Sequence, residues 1–430
     1  MIPAVIERCA GIDVGKKFIV VCVMTGPANG EPQSEIRTFG TTVAELQQAR
    51  AWITGEACTD VIMESTGSYW KPVFNILEGH VKVALANPHE VKARKGHKTD
   101  KKDAWWLAHL LRHGMVTASF IPPRPQRELR DLTRRRRKLI QHATAEKNRV
   151  GKVLEDANVK LGSVLSDIFG VSGQLMLEAL LEGKADNVEI AAFAKKSAKK
   201  KIPAIIAALE QHAMRDHHRM MIRLSLDHLQ FLGHQLIQID EQIRIKIREA
   251  GYEKQWELLR SLPAMDENAA TLLAEMGPDP AQFPDEKHLG SWCGLCPGNN
   301  RSAGRSKSSH TNRGNRWLRG ALTESAWAVS RTKQGHLRDK FWRIASRGEP
   351  KRSRCIAVVA VAHDLAKLAY FVLQRGTPYE EKRGSPLTEP QKQRLIRHHV
   401  RRLGKLGIRL QLSPAPAKPK CRRKGTSATD

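Results

Sequence analysis

Aromatic side chains are scarce in this chain of 430 residues, and acidic side chains are outnumbered. Phe, Trp and Tyr together make up 5% of the residues, so the sequence offers few platforms on which nucleobases could stack. Against 72 lysines and arginines there are only 44 aspartates and glutamates, which gives a formal net charge of +28. A surplus of that size predicts a polyanionic partner, and favours a nucleic acid over a membrane surface.

Long uncharged hydrophobic runs and a secretory signal are also missing. The most apolar stretch, residues 355–373, contains His363, Asp364 and Lys367, so it is predicted to be a buried helix and not a membrane span. The cysteines, seven in all, are odd in number and scattered, which favours a reducing cytosol over a disulfide framework. We therefore expect a cytoplasmic protein with no membrane partner.

Residues 1–120 alternate strand and helix patterns, and we expect them to form one α/β domain built around a sheet. The domain is predicted to open with a hairpin over residues 9–24 that turns at Gly15 and Lys16. The other predicted elements are a strand near 35–40, a helix at 42–53, a strand at 60–66, a helix at 69–79 and a strand at 81–87.

Residues 121–252 have a helical pattern. One long amphipathic helix follows residue 124, and a second helical region runs from about 203 to 250. The basic segment 195–201 between them is predicted to be a poorly ordered connector. Two long helices in series indicate either an antiparallel coiled-coil arm, which would serve dimerisation, or an ordinary helical bundle.

Residues 253–376 are expected to form a third, mostly helical unit. Residues 259–277 have the outline of a helix-hairpin-helix, which presents backbone amides to phosphates, although the glycine usual between its helices is missing. Residues 377–430 are predicted to be a basic, disordered tail. Within it, residues 391–430 contain 12 lysines and arginines and one acidic residue, a composition that favours non-specific contact with phosphate backbones.

Four acidic residues of the first domain occupy positions where carboxylates are unusual. Asp13 interrupts an apolar strand pattern and Glu64 ends another, and a carboxylate among β-branched neighbours is costly unless it is paired or binds a cation. Asp100 and Asp103 are three residues apart and would share one face of a helix. These two also have a structural explanation, because acidic residues complement the dipole of a first helical turn and Asp is a good helix cap.

Two strands and a helix start can bring these four side chains together at the carboxyl edge of a sheet. All four offer oxygen, with no cysteine or histidine interspersed, and this donor set suits Mg²⁺ better than Zn²⁺. Two such ions about 4 Å apart would clamp the attacking and leaving oxygens of a phosphodiester. We therefore predict a magnesium site formed by Asp13, Glu64, Asp100 and Asp103.

The sequence around these acids is similar to a known family. Asp13 in GIDVGKKFIVV, Glu64 in VIMESTGSYW, and Asp100 with Asp103 in KTDKKDAWWLAHLL resemble the RuvC-type, ribonuclease-H-like domain of the DEDD transposases of the bacterial IS one-ten (IS110) insertion-sequence family. Residues 289–327 are similar to the C-terminal transposase domain of that family. The resemblance covers roughly 9–165 and 255–345, and it implies an enzyme that cuts and rejoins DNA to move its own element.

The resemblance also implies a nucleophile. In that family a serine of the C-terminal domain, in the loop after Gly-Leu-x-Pro, attacks DNA, and the matching residue here is Ser302 in NNRSAG. Only the motif distinguishes Ser302 from the other serines of this loop. Cations nearby could neutralise a phosphate and its developing charge. The basic residues predicted to bind nucleic acid are Arg301, Arg305, Lys307, Arg313 and Arg316 around this loop, and Lys98, Lys101 and Lys102 beside the carboxylates.

A serine needs a base, a lowered pKa or a metal to become reactive, and no histidine stands beside Ser302 in the sequence. We expect the carboxylate site of one copy to meet Ser302 of another copy, in a homodimer or tetramer, with Mg²⁺ as cofactor and a covalent phosphoserine as product. The resemblance further implies element-end and target DNA and an element-encoded guide RNA as partners, and a nucleoid-associated location. The candidates for RNA contact are the helical arm, the run Arg134–Lys138 and the tail, each of which is otherwise a solvated basic face.

Three other functions stay open. GIDVG also opens sugar kinases and actin-like ATPases, but the second phosphate loop of those proteins is missing here. A lone RuvC-like, Mg²⁺-dependent nuclease or junction resolvase would need neither Ser302 nor the third unit. A non-catalytic nucleic-acid-binding protein would need no carboxylate site.

A zinc knuckle at Cys293 and Cys296, completed by His288 and His310, is a further alternative. It is disfavoured because no second cysteine pair stands at suitable spacing. The other conspicuous histidines are predicted to contact phosphate or to lie at the surface: His97, His217 and His218.

Overall fold

The computed structural model describes residues 4–64, 67–87, 91, 99–183, 186–298 and 310–381, the backbone of Arg301–Ser302 and Arg305–Ser306, and scattered positions between 393 and 407. Lys98, Lys307, the side chains of Arg301, Ser302 and Arg305, and nearly all of the predicted tail lie outside the described residues. The chain divides into two compact units, residues 1–131 and 132–430.

The first unit is built on a mixed sheet of five strands, in the order β3-β2-β1-β4-β5. β1 pairs antiparallel with β2, and β2 with β3, while β4 runs parallel to β1 and to β5. The predicted hairpin and the three later strands are confirmed. The strands are β1 (Arg8–Val14), β2 (Phe18–Thr25), β3 (Gln33–Gly40), β4 (Asp60–Glu64) and β5 (Lys82–Ala86).

Helices cover both faces of this sheet, which explains why β2 is buried at six consecutive positions and does not alternate. Leu46 of α1 and Val73 of α2 share a core with Ile12 on one face, and Ala104 of α3 packs with Cys9 on the other. α1 begins with a capping box in which Thr42 and Glu45 bond reciprocally. These helices are α1 (Val43–Gly55), α2 (Trp70–Leu77) and α3 (Asp100–Arg112).

Arg112, the last residue of α3, is fully buried and closes the end of the unit opposite the predicted site. Its guanidinium donates to the backbone carbonyls of Ile6 (3.2 Å), Glu7 (2.8 Å), Gly26 (3.1 Å) and Pro27 (2.8 Å). One side chain thereby ties α3 to the chain entering β1 and to the chain leaving β2. This role of Arg112 was not predictable from the sequence, because nothing local distinguishes it from the other arginines.

In the second unit, residues 132–156 of α4 (Arg124–Asp156) run antiparallel to α9 (Asp216–Glu249). Leu139 packs with Leu232 and Ile239, and the carboxylate of Glu146 bonds His228 Nδ1 at 2.8 Å. The predicted antiparallel pairing of two long helices is therefore observed.

The prediction for the segment between these two helices was wrong in two respects. Residues Lys196–Lys201 form a 3₁₀ helix instead of an irregular connector, because Ala198 and Ile202 at its end pack on a core while the lysine heads stay in water. The helix predicted over 203–250 is interrupted, and Gln211 in the interruption has φ 55°. The additional helices that build this small core are α5 (Leu161–Val164), α6 (Val171–Glu182), α7 (Asn187–Ala192) and α8 (Ile202–Leu209).

The rest of the second unit is helical, with α15 (Pro350–Arg375) packed against α10, α12, α13 and α14. By length and composition α15 is the one helix among the described residues that could cross a membrane, and half of its apolar window is buried inside the protein. The prediction of a buried helix here is confirmed. The other helices are α10 (Glu253–Arg260), α11 (Ala269–Met276), α12 (Glu286–Trp292), α13 (Arg316–Val329) and α14 (His336–Ala345).

The unit also contains a 3₁₀ helix (Pro280–Gln282) and a short β-hairpin. The two strands of the hairpin, β6 (Arg301–Ser302) and β7 (Arg305–Ser306), have two residues each. Of the two helices expected over 259–277, α11 lies inside this range, whereas α10 lies almost wholly before it. The glycine missing from their connection is replaced by Ala264, which adopts φ 54°.

Candidate functional site

The carboxyl ends of two parallel strands bring Asp13 and Glu64 side by side. β1 and β4 pair in parallel with Ile12 opposite Met63, so the next residue of each strand is Asp13 and Glu64. Paired residues of neighbouring strands point to the same face of a sheet. Both side chains are half-buried.

That face is the one covered by α3. A Cβ on Gly11 would lie 2.3 Å from the carbonyl oxygen of Ala104, and the thiol of Cys9 contacts the carbonyl of Ala108 at 3.6 Å. Because side chains alternate along a strand, Asp13 points to the same side as Gly11 and Cys9. Ile62 packs with Leu107 of α3, so Glu64 shares this side as well.

The direction of α3 places its first turn over the two acids. Cys9 of β1 contacts Ala108, and Gly11, two residues later, contacts Ala104. The helix therefore runs antiparallel to the strand, and Asp13 faces its first turn. Asp100 and Asp103 occupy that turn, with Asp103 half-buried and Asp100 exposed. All four predicted acids therefore belong to one end of one face of the sheet.

The structural explanation for Asp100 and Asp103 holds only in part. The N-cap of α3 is Thr99, whose hydroxyl accepts from the amide of Lys102 at 3.3 Å, so neither aspartate caps the helix. Favourable interaction with the helix dipole still applies to both. Lys101 and Lys102, predicted to bind nucleic acid, are exposed on the same turn.

The four acids converge without forming a closed cage. Among the residues that the structure describes, three ligand atoms lie within 4.8 Å of one another only at Asp156, His217 and His218, and at no three of these acids. The layer beside Asp13 is dry: Cys9 and Cys22 are fully buried, and this burial raises the pKa of both thiols to about 12. An all-oxygen donor set at the edge of a dry layer fits a hard divalent cation.

In the group of Asp156, His217 and His218, the side chain of His218 is engaged in capping a helix. His218 Nδ1 accepts from the backbone amide of Arg215 at 3.1 Å, so the ring proton is on Nε2, which lies 2.9 Å from the Asp156 carboxylate. With both nitrogens engaged in this way, His218 has no lone pair for a metal. The prediction that both histidines lie at the surface was wrong for His218, which is buried.

The zinc knuckle receives no support from the described part of the chain. Burial raises the pKa values of the Cys293 and Cys296 thiols, which disfavours the thiolate that a metal binds. His288 Nδ1 is bonded to Asp285 at 2.7 Å. Cys293, Cys296, His288 and His310 do not provide three ligand atoms within 4.8 Å.

Ser302 lies on a β-hairpin whose base is well anchored. The backbone of β6 pairs antiparallel with that of β7, and at the base the amide of Gly298 donates to the His310 carbonyl at 2.8 Å. The guanidinium of Arg319 bonds Thr311 and the Gly294 carbonyl. A Cβ on Gly314 would lie 2.3 Å from the amide nitrogen of Gly294, so the two segments meet through backbone.

A basic groove of about 580 Å³ adjoins this base. Arg313 and Arg316, both predicted to bind nucleic acid, line it and are exposed. Arg134 and Trp317 also line it and were not assigned a role there from the sequence. The signal that could have identified Trp317 is its position in NRGNRWLRG, an aromatic residue among arginines directly after a helix cap.

Two family models match this chain. Residues 10–159, which include the four acids, match the model of the IS110-type DEDD domain, described as a transposase. Residues 256–342, which include Ser302, match the model described as "Transposase IS116/IS110/IS902 family". The two matched segments together cover more than half of the chain.

A curated protein of Sinorhizobium fredii, named "Putative transposase y4pF/y4sB", is 27% identical over 132 residues. The match covers 30% of this chain and 34% of that protein. The chain thus spans about a third of the length of the curated relative that it matches.

Proposed function

This chain belongs to the IS110 family of transposases, and we propose that it cuts and rejoins DNA with two sets of residues, a metal-binding group of four acids and a serine nucleophile. The observation that carries the proposal is the register of β1 and β4, which puts Asp13 beside Glu64 beneath the turn of α3 that holds Asp100 and Asp103. The strand order and the helices on both faces are also consistent with a ribonuclease-H-like, RuvC-type fold for the first domain.

Asp13, Glu64, Asp100 and Asp103 would hold the divalent ion, and we propose Mg²⁺ because every donor is a carboxylate oxygen. When bound, the ion would polarise the scissile phosphate and stabilise the charge that develops on it. Lys101 and Lys102 flank the acids on the same helical turn and would attract the DNA backbone to this edge. Lys98 is proposed for the same role.

Ser302 would act as the nucleophile. Its hydroxyl gives up a proton, Oγ forms a bond to phosphorus, and the bond from phosphorus to one deoxyribose oxygen breaks. That oxygen leaves as a hydroxyl after taking up a proton. The phosphoserine diester stores the energy of the broken bond, so a hydroxyl of a second DNA end can displace Oγ and rejoin the strand without a high-energy cofactor. Arg301, Arg305, Lys307, Arg313 and Arg316 would neutralise the phosphate.

We further propose that the acids of one copy act with Ser302 of another, in a homodimer or tetramer, and that an element-encoded RNA guides the choice of DNA. The net charge of +28 supports a large polyanionic partner. The functional domains proposed are a catalytic domain at 1–120, a helical arm at 121–252, a serine domain at 253–376 and a basic tail at 377–430. A cytoplasmic, nucleoid-associated location follows from a DNA substrate.

The test is strand cleavage of a supercoiled plasmid that carries the element ends. Asp13→Asn, Glu64→Gln, Asp103→Asn and Ser302→Ala should each lower cleavage more than about a hundredfold, because each removes several kcal/mol of transition-state stabilisation. Asp131→Asn and Ser306→Ala are the matched controls and should cleave normally.

The same reaction, stopped with detergent, should contain a protein–DNA adduct that Ser302→Ala cannot form. Metal-dependent cleavage by Ser302→Ala would contradict the nucleophile and indicate a junction resolvase or a simple nuclease. Plasmid left intact by the unmodified protein, with its RNA and Mg²⁺ present, would contradict catalysis altogether.

A further inference from the structure

Trp317, in the first turn of α13, lies among three cations. The guanidinium carbons of Arg316 and Arg134 are 4.8 Å and 5.7 Å from the centroid of its ring, and Lys138 Nζ is 5.9 Å from it. Cations at these distances are attracted by the face of an indole ring. The ring is half-exposed, so this cluster borders solvent.

A carboxylate with no solvent exposure joins the cluster from beneath. The two oxygens of Glu275 accept from Nε and Nη2 of Arg134 at 2.6 Å and 2.8 Å, and one of them also accepts from the side-chain amide of Asn315 at 2.7 Å. The oxygen of that same amide caps α13 by accepting from the amides of Trp317 and Leu318. Glu275 therefore connects Arg134 on α4 with the first turn of α13.

Two other arginines of the run Arg134–Lys138 form ion pairs away from Trp317. Arg136 is paired with Asp240 and Arg137 with Glu324, so these two arginines connect helices. Lys138, Arg313 and Arg316 form no ion pair with a carboxylate among the residues that the structure describes. Arg316, Lys138 and Arg134 gather around the one ring of Trp317, and an anion bound among them would reduce the repulsion between their charges.

The position of the cluster identifies the anion. The groove that adjoins the base of the Ser302 hairpin is lined by Arg134, Arg313, Arg316 and Trp317. In its wall the backbone amide of Asn315 donates to the Trp292 carbonyl at 2.9 Å. A polymer that reaches Ser302 would pass this groove. Arginine is suited to phosphate because its planar fork of donors matches the phosphate oxygens.

We propose that Glu275 and Trp317 are positioning residues that hold Arg134, Lys138 and Arg316 as a preformed binding surface for a phosphate of the DNA strand at Ser302. The proposal rests on the proposed function, in that the polymer is DNA. It assigns the two residues no contact with the reacting atoms, because both act through the cations.

Glu275→Gln tests the proposal by whether it weakens or strengthens DNA binding. Removing a carboxylate raises the net charge by one, and general electrostatics therefore predicts equal or tighter DNA binding. If Glu275 positions Arg134, the variant should instead bind DNA about fivefold to tenfold more weakly. The matched control is Glu178→Gln, which removes an exposed carboxylate of the same unit and should bind as tightly as the unmodified protein or slightly more tightly.

Trp317→Leu tests the ring without changing any charge. Loss of the cation–π contacts should weaken DNA binding about threefold to fivefold, and Trp317→Phe should restore most of it. Because the cations are still present, the slope of log K against log salt should stay as in the unmodified protein for Trp317→Leu. For Arg316→Ala, which removes a phosphate contact, the slope should become less steep by about 0.9.

Binding is measured by fluorescence anisotropy with the full chain, a fluorescein-labelled DNA duplex and an RNA duplex of the same sequence. EDTA is present throughout, so the outcome does not depend on the acids or on Ser302. If circular dichroism shows that Glu275→Gln does not fold, the DNA affinity of Trp317→Leu alone decides whether the proposal holds.

Unchanged DNA binding by Trp317→Leu, tighter binding by Glu275→Gln, or an effect confined to the RNA duplex would each overturn the proposal. Normal cleavage by the Asp13 and Ser302 variants, with DNA binding still sensitive to Glu275 and Trp317, would contradict the catalytic proposal and leave this one standing.

Discussion

Gly11 of β1 and Ala104 of α3 are in direct backbone contact, because a Cβ on Gly11 would lie only 2.3 Å from the Ala104 carbonyl oxygen. The amide nitrogen of Ala108 is equally close, at 2.4 Å. Only a residue without a side chain allows this approach. The contact sets the distance between the strand that ends in Asp13 and the helix that begins at Asp100, and so controls the geometry of the candidate metal site.

Gly11→Ala should therefore disturb both stability and the site. The new methyl group would have to push α3 off the sheet, and overpacking of this kind costs about 1–3 kcal/mol. Urea unfolding of the full chain should show the loss, and hydrogen exchange should speed up in β1 and α3 first. The control is Gly55→Ala, at the exposed end of α1, where no atom lies within 4 Å of the new methyl and stability should stay equal or rise. Equal stability of the two variants would contradict the contact.

Arg112→Met should destabilise the first unit by about 3–5 kcal/mol, since the fully buried Arg112 loses all four of its hydrogen bonds to backbone carbonyls together. Thermal unfolding followed by circular dichroism measures this. Arg124→Met is the comparison, because Arg124 is exposed and its ion pair with Glu128 lies within its own helix. That variant should change stability by less than about 1 kcal/mol. A small effect at Arg112 would mean that water satisfies these carbonyls.

Binding of Mg²⁺ should raise the unfolding temperature of the unmodified protein, because a ligand that binds only the folded state stabilises it. At a hundred times its Kd the gain is about 2.7 kcal/mol. Asp13→Asn and Glu64→Gln should lose most of the shift, whereas His217→Ala should keep it. An identical Mg²⁺ shift in Asp13→Asn would contradict the assignment of Asp13 as a ligand.

Zinc should not bind at Asp156, His217 and His218, although their ligand atoms lie within 4.8 Å of one another. The amide of Arg215 occupies His218 Nδ1, and coordination through Nε2 would require that hydrogen bond to break. Titration with Zn²⁺ should therefore produce the same heat in His217→Ala as in the unmodified protein. A zinc-dependent rise in stability that this substitution removes would contradict the assignment as a cap.

His363 on α15 should make the second unit less stable in acid. Burial lowers its pKa below the ordinary value of 6.5, so the unfolded chain takes up the proton more readily than the folded one. The unfolding temperature should accordingly fall as pH drops through 6.5 toward the lower folded value, and no loss is expected from this residue above 6.5. His363→Gln should flatten this part of the profile. A profile unchanged by the substitution would assign the loss to other groups.

The share of the structure that could be predicted from the sequence differs between the two units. The strands and helices of the first unit were predictable because apolar runs and the hairpin turn at Gly15 and Lys16 are local signals. The interruption of the helix predicted over 203–250 was missed, because contacts beside it, such as the bond from His218 to Asp156, join residues far apart in the chain. The role of Glu275 was missed for the same reason, since its partners Arg134 and Asn315 come from two other segments.

By itself the sequence determined which residue types were available: four carboxylates without sulfur or nitrogen donors among them, and a large cationic surplus. The tertiary structure alone decided that Asp13 stands next to Glu64, that α3 lies over both, and that Trp317 collects cations from two helices. The physical reason is that strand order, register and helix packing depend on burial of surfaces contributed by distant segments, and such contacts leave no local pattern to read.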